Sequence, residues 1–268
     1  MDMQTMISVF ILMILLEATA VTLFILYKKG RMEQNPFIGI LKKEYEILYY
    51  AFCGWGRKLK VKEGTAAFTY HKKSSYFWIF LALMHEQVIE MVIFHIYLKQ
   101  IDPLAANLFT ALHIYSIVWI LGDYHAVRHS PVLVKQNLVQ MKVGVRKSLT
   151  IRVQDIATIQ PPTIRYGKSG GVIHEKGVFH VTAFPRVLTR VFGMTDEAKY
   201  EILLKYPVYA EGIFGLKKEI SKIYIYLDCP EEFVDLLHEK MADYNIEETS
   251  VKECIEVDES SSFGTVCS

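Results

Sequence analysis

Paired cysteines are missing from this sequence. The four present, Cys53, Cys229, Cys254 and Cys267, stand at no C-x-x-C or other metal-like spacing. They therefore read as free thiols facing a reducing compartment, with no metal site and no disulfide framework among them. Neither sign of charge dominates: 30 Lys and Arg stand against 29 Asp and Glu, for a net +1. Nothing global points to nucleic acid as a partner. The glycine runs that cradle phosphates are absent as well. "GKSGG" at 167–171 lacks the G-x-x-x-x-G-K spacing. Histidine boxes are scarce too. His125 and His129, four apart after the last apolar run, are a juxtamembrane pair that could share a helix face, but His71, His174, His180 and His238 stand alone. Catalytic residues, a metal and a cofactor are accordingly not assigned.

What the chain has in excess is apolar length. Hydrophobic residues make up 51% of it, more than a water-soluble domain needs. Residues 7–27 form an uninterrupted apolar run broken by Glu17 alone, and about 20 such residues cross a bilayer. No Lys or Arg precedes the run, while Lys28, Lys29 and Arg31 follow it, which favours a signal anchor over a cleaved signal peptide. Residues 76–98 and 104–122 give two more spans, joined by the short turn "KQIDP" whose Asp-Pro suits the end of one helix and the start of the next. Trp78, Tyr97, Trp119 and Tyr124 fall near span ends, where interfacial anchors belong. The stretch 28–75 is rich in Lys and Arg and the turn between spans two and three has one lysine, so the positive-inside rule places that stretch in the cytosol. The N-terminus is then outside and everything after Gly122 cytosolic. Within this basic stretch Phe37, Ile40, Leu41, Ile47, Leu48 and Phe52 cluster near one helical face. A helix there either lies on the inner leaflet or packs on the cytosolic domain.

Hydrocarbon penalises ionisable groups by about 3 kcal/mol each on insertion scales. Counting about 1.5 Å per residue, Glu17, Glu86, Glu90 and His113 all come near mid-bilayer, and Glu86 and Glu90 share a face of span two. The expectation is that these four side chains face the bundle interior. They would serve as polar glue that fixes the helix register and extends to a homodimer, or as a proton or ion relay, or as carboxylate and imidazole ligands.

After Ser130 the hydrophobic period becomes two. Val139, Met141 and Val143 alternate with Leu138, Gln140 and Lys142, and Leu149, Ile151 and Val153 continue beyond a turn at 144–148. "GVFHVTAF", "YEILLKYPVYAE" and a last strand through Ile223, Ile225 and Leu227 follow. Asp228, Pro230, Glu231 and Glu232 then read as the cap and acidic first turn of a helix presenting Phe233, Leu236, Leu237 and Met241 on one face. Arg152, Arg165, Lys168, Arg186 and Arg190 are candidates for contact with lipid head groups or an acidic partner. Residues 245–268 are acidic, Ser-rich and expected to be disordered.

"LVQMKVGVRKSLTIRVQDIATIQ" followed by "GIFGLKKEISKIYIYLDCPEEFVDLL" resembles the bacterial pleckstrin-homology-like domain, over about residues 130–244. The resemblance implies a bent β-barrel closed by one C-terminal helix and fed directly by a transmembrane hairpin. The expected fold class is thus α+β: a membrane domain at 1–129, a PH-like β-domain at 130–244 and a tail at 245–268. It further implies a multi-pass protein of the bacterial cell (inner) membrane, whose partners are the lipid bilayer and an unidentified protein. A non-enzymatic, membrane-tethered interaction or scaffold role is the reading favoured by these features. Bacteriocin immunity, which some relatives of this architecture confer, and a proton-coupled or metal-dependent transporter or oxidoreductase are the alternatives.

Overall fold

The structure, a computed structural model, describes residues 18–19, 21–25, 27–30, 36–56, 61–163, 175–185, 197–212 and 216–244. Within them the chain is α+β, with two long apolar helices and a curled half-barrel sheet. The described part of the first apolar run, within 18–28, is helical and largely exposed; the rest of that run, Glu17 included, lies outside the described residues.

Helix α1 spans Pro36–Cys53, α2 Tyr76–Lys99 and α3 Pro103–Arg128. Both α2 and α3 are long and apolar enough to cross a membrane. They form the hairpin that the sequence predicts, and its turn follows the Asp-Pro logic. Asp102 caps α3 by accepting from the backbone N–H of Leu104 at 2.8 Å and of Ala105 at 3.3 Å, and Pro103 occupies the first helical position, where no N–H is needed. Large apolar side chains along the hairpin, such as Leu81, Val92, Phe94, Leu108 and Leu112, point outward. Such a surface is the reverse of a soluble protein's.

The third predicted span ends at Gly122, whereas the helix continues to Arg128. The extra turns are buried: Gly122, Asp123, His125, Ala126 and Val127 all pack under protein. The anchor role expected of Tyr124 changes accordingly. Its ring stacks on Phe80 at 4.1 Å and carries the Arg128 guanidinium at 5.5 Å, while Trp78 and Tyr97 remain well exposed.

Helix α1 packs on this lower half of α3. A side chain at Gly122 would run into the Ile47 carbonyl and come within 2.9 Å of Ile47 Cγ2, so only glycine lets the two helices approach this closely. Ile47, Ala126 and Val145 make a small core of their own there, with Tyr50 against it.

Among the described residues eight strands form one sheet: β1 Thr65–Phe68, β2 Val132–Lys135, β3 Leu138–Val143, β4 Lys147–Arg152, β5 Ile156–Gln160, β6 Val178–Val181, β7 Tyr200–Glu211 and β8 Lys217–Ile225. Their order is β1-β2-β3-β4-β7-β8-β6, with β5 also paired to β7. Period-two alternation explains the central strands. Val139, Met141, Val143, Leu149, Ile151 and Val153 are all buried, as their positions predict. Two features depart from a simple run of antiparallel neighbours. β6 pairs in parallel with β8, and β7 bulges between Leu203 and Val208, which lets one long strand serve β5, β4 and β8. The edge strand β1 comes from the stretch between the first apolar run and the hairpin. Thr65 to Phe68 pair with Lys135 to Val132, so part of what reads as a basic loop belongs to the sheet.

A helix at 230–244, α4, covers the sheet. Phe233 and Leu237 are fully buried among Val134, Met141, Ile151, Ile202 and Ile223, and Leu236 and Met241 pack at the margin. The face expected from sequence is the face used.

Candidate functional site

A tight β3–β4 turn meets the foot of the hairpin at the sheet. Gly144, at φ +53, turns β3 toward β4 and sets Arg146 beneath the last turns of α3. A Cβ at Gly144 would also press on Val127 Cγ2 at 3.1 Å. Arg146 meets Asp123 in a bidentate pair, Nε to Oδ1 and Nη2 to Oδ2, both at 2.9 Å. The same Nη2 reaches the Ala183 carbonyl at 2.8 Å. Tyr76, the first residue of α2, donates its hydroxyl to Asp123 Oδ2 at 2.8 Å, and its ring lies 5.7 Å from the guanidinium. Tyr70 closes the group by donating to the Lys142 carbonyl at 3.0 Å and accepting from the Gly144 N–H at 3.2 Å. Asp123 and both tyrosines are buried. Burial works against the charge on Arg146, yet Asp123 and the neighbouring tyrosines outweigh it and raise its pKa. Burial likewise pushes the Tyr70 phenol well above its ordinary value. One guanidinium thus ties α2, α3, the β3–β4 turn and the 182–185 segment together.

A second clamp holds the approach to α2. Asp228 was expected to cap α4, but its carboxylate instead accepts the backbone N–H of Lys73 at 2.7 Å and of Lys72 at 3.2 Å. Its own N–H bonds to the Thr69 carbonyl at 2.9 Å. The helix begins two residues later, at 230. Burial opposes the charge of Asp228, but the bonds from Thr69, Lys73 and Lys72 prevail and hold its pKa below the usual value. Beside it Lys73, Lys199, Glu197 and Glu231 line a cleft of about 250 Å³ with mixed charge.

A third polar group lies on the face of the sheet opposite the main core, beside Tyr224. Glu201 is buried and accepts from Gln160 Nε2 at 2.6 Å, Thr163 N–H at 2.9 Å and Thr163 Oγ1 at 3.0 Å. Lys222 bridges it to Glu175, at 3.6 Å and 3.2 Å. Burial raises the Glu201 pKa, but these donors win and lower it overall. Among the described residues, Asp123, Asp228 and Glu201 are thus each answered by several donors.

Of the four intramembrane residues singled out from sequence, two come together. Glu90 Oε2 lies 3.7 Å from His113 Nε2 across the hairpin and accepts from Gln87 at 3.1 Å. His113 Nδ1 is within 2.8 Å of the Phe109 carbonyl. Glu86, although on the same side of α2 by spacing, is exposed and stays out of this contact. Glu17 lies outside the described residues. Sequence reasoning missed a second interhelical bond, His95 Nδ1 to Thr110 Oγ1 at 2.8 Å, where Thr110 also donates to the Ala106 carbonyl. Its signal was the matching depth of His95 and Thr110 on either side of the turn.

The pair at the foot of α3 separates in role. His125 is buried between Trp55, at 5.0 Å, and Tyr124, at 5.5 Å, and among the described residues neither of its ring nitrogens has a hydrogen-bond partner. His129 ends the helix, with Nδ1 2.8 Å from the His125 carbonyl and its ring stacked on Tyr50. The two do not converge on one point. Among the described residues no three His, Cys, Asp or Glu side chains converge to hold a metal ion. Arg152 is exposed at the end of β4; Arg165, Lys168, Arg186 and Arg190 lie outside the described residues.

The joint at Asp123, Arg146 and Tyr76 was not among the residues chosen from sequence. An aspartate directly after an apolar run and a lone arginine in a β-turn give no pattern until the fold brings them together. Comparison with known proteins adds no identity: no family model matches this chain, no curated protein matches it, and no solved structure matches it.

Proposed function

We propose that this chain is an integral membrane protein in which the α2–α3 hairpin holds a pleckstrin-homology-like β-domain at the membrane surface as a non-enzymatic interaction or scaffold module. The observation that carries this reading is the bidentate Asp123–Arg146 pair. It fixes an apolar, outward-facing hairpin rigidly to a sheet whose polar clusters are internally satisfied. Both ends of the hairpin enter the same β-domain, so that domain and the 61–75 segment share one side of the bilayer. The lysine and arginine bias of residues 28–75 makes that side the cytosol, in a bacterial inner membrane with the N-terminus outside. Tyr206 and Tyr209, 73% and 67% exposed on β7, are the large apolar groups a protein partner would cover.

The experiment has two parts. Membranes containing the full chain are washed with alkaline carbonate, and retention in the pellet is expected; release into the supernatant overturns the membrane reading. Photo-reactive residues at Tyr206 and Tyr209 are then activated in cells. Discrete cross-linked adducts are expected, and their absence at both positions overturns the interaction reading.

A proton-coupled role is the second reading, because Glu90 and His113 meet between two apolar helices while the Glu90 side chain stays 42% exposed. Glu90→Gln removes the titrating carboxyl and keeps its shape. Loss of proton uptake by vesicles carrying the protein supports that reading, and unchanged behaviour leaves the pair a structural bond.

A further inference from the structure

Helix α1 has three faces, and its apolar stripe is not the one that docks on the protein. At about 100° per residue, Ile38, Leu41, Tyr45, Leu48 and Phe52 fall within an arc of roughly 80°. Ile47 and Ala51, which are buried against the rest of the chain, lie about 120° round the helix from the centre of that arc. The stripe is open: Leu41 and Tyr45 are each 69% exposed and Phe52 is 70% exposed. A helix packed on a water-soluble domain turns its widest apolar face inward. Here that face is turned out, and a narrower contact of Ile47 against Gly122 does the docking.

The level of the helix follows from its contacts. Ile47 meets α3 at Gly122, and Gly54, just past the end of α1, meets it at His125. Glu44 meets it at Tyr115, whose hydroxyl donates to Glu44 Oε1 at 2.5 Å. From Gly122 back to Tyr115 is roughly 10 Å along α3. Tyr115 lies within the apolar part of that helix, among the outward-facing Leu112, Ile114 and Trp119. From Glu44 to Gly54 the chain therefore runs beside α3, from its apolar part at Tyr115 to its buried foot at His125. The open stripe belongs to a helix that reaches this exposed apolar part of α3. Glu44 is the acidic group that climbs furthest along this contact, and the Tyr115 hydroxyl answers it.

We infer that α1 is inserted obliquely into the sheet-side leaflet of the bilayer, with Ile38, Leu41, Tyr45, Leu48 and Phe52 in contact with phospholipid acyl chains. This rests on the membrane reading of the hairpin and adds a third lipid-contacting element to it. Lys42 is exposed at the polar edge of the stripe, where its apolar stem would let the ammonium reach the head groups.

Spin-label accessibility tests the inference on the full chain, with Cys53, Cys229, Cys254 and Cys267 replaced by Ser, in phosphatidylcholine–phosphatidylglycerol vesicles. Labels go on Leu41→Cys and Leu48→Cys in the stripe, Phe94→Cys in the hairpin and Glu239→Cys on α4. The ratio of oxygen to nickel-complex collisions is expected to be several-fold higher at Leu41→Cys and Leu48→Cys than at Glu239→Cys, close to that at Phe94→Cys. A nickel-accessible stripe with an oxygen-accessible Phe94→Cys overturns the insertion of α1 and leaves the membrane reading standing. Nickel access at Phe94→Cys overturns both. Shielding of the stripe from both reagents also overturns the inference, because protein rather than lipid then covers it.

Discussion

Arg146 and Asp123 face each other with two parallel hydrogen bonds of 2.9 Å, one residue from a β-turn and the other from the last turns of an apolar helix. The pair joins two structures built by different rules. The hairpin is organised by its apolar exterior, the sheet by its apolar interior, and the charged pair lies where the two meet. Removing either partner leaves a buried charge unanswered.

Asp123→Ala is expected to destabilise the fold by about 3–5 kcal/mol, the usual range for breaking a buried pair. Replacing both partners together, as Asp123→Leu with Arg146→Met, is expected to recover much of that loss. Denaturant unfolding in detergent, followed by near-UV circular dichroism, measures both. Equal losses in the single and the double variant would show that the pair does not couple hairpin to sheet.

Tyr70→Phe removes the donor to the Lys142 carbonyl and the acceptor for the Gly144 N–H. A loss of about 1–3 kcal/mol is expected, because the N–H loses its acceptor and the carbonyl its donor under cover of the core. The same assay reads it, and a change within experimental error would mean that water replaces the phenol.

Acid stability is set partly by Asp228 and Glu201, whose folded pKa values lie below their ordinary ones. A depressed carboxyl contributes stability that is present above the unfolded pKa, about 4, and is lost as pH falls through the lower folded value. The unfolding midpoint of the wild-type chain should therefore drop as pH is lowered below about 4. Asp228→Asn should lower the midpoint at neutral pH and flatten that slope. A parallel slope in the variant would remove Asp228 from the account.

Gly122→Val is expected to force α1 away from α3, since even a Cβ there meets the Ile47 carbonyl. Protease cleavage near residues 54–56 should become faster while the sheet remains folded. Unchanged protection would mean that the helices separate without consequence or shift to make room.

His113→Ala is expected to weaken the hairpin only modestly, by about 0.6 kcal/mol and at most about 1.7, the mean and the upper end for interhelical bonds in membranes. Unfolding of the reconstituted protein reads that difference. A much larger loss would mark the Glu90–His113 pair as the principal tie between α2 and α3.

Much of this was readable in advance, for physical reasons. Period-two alternation located the buried faces of β3 and β4, the 3.6-residue period picked Phe233 and Leu237, and Asp102-Pro103 gave the turn of the hairpin. Each of these signals is local. What stayed hidden depends on distant partners. Nothing near Thr65 says that a short Thr-Ala-Ala-Phe stretch pairs with Val132–Lys135, and nothing near Asp228 says that its carboxylate turns from the following helix to the N–H groups of Lys72 and Lys73. The candidate joint was invisible for the same reason. Asp123 reads as the polar end of an apolar run, while the ionisable residues within the runs stand out by their expected expense in hydrocarbon; among the described ones Glu90 and His113 meet and Glu86 does not.

The order of synthesis gives β1 a particular fate. Residues 65–68 leave the ribosome before the hairpin exists, and the strand they must join is made only after both of its helices. The outermost ribbon of the sheet has to wait until both apolar helices have been made, so the domain closes only once the hairpin is complete. A fragment starting at Ser130 lacks this ribbon altogether and leaves the outer edge of Val132–Lys135 open to pairing with other chains.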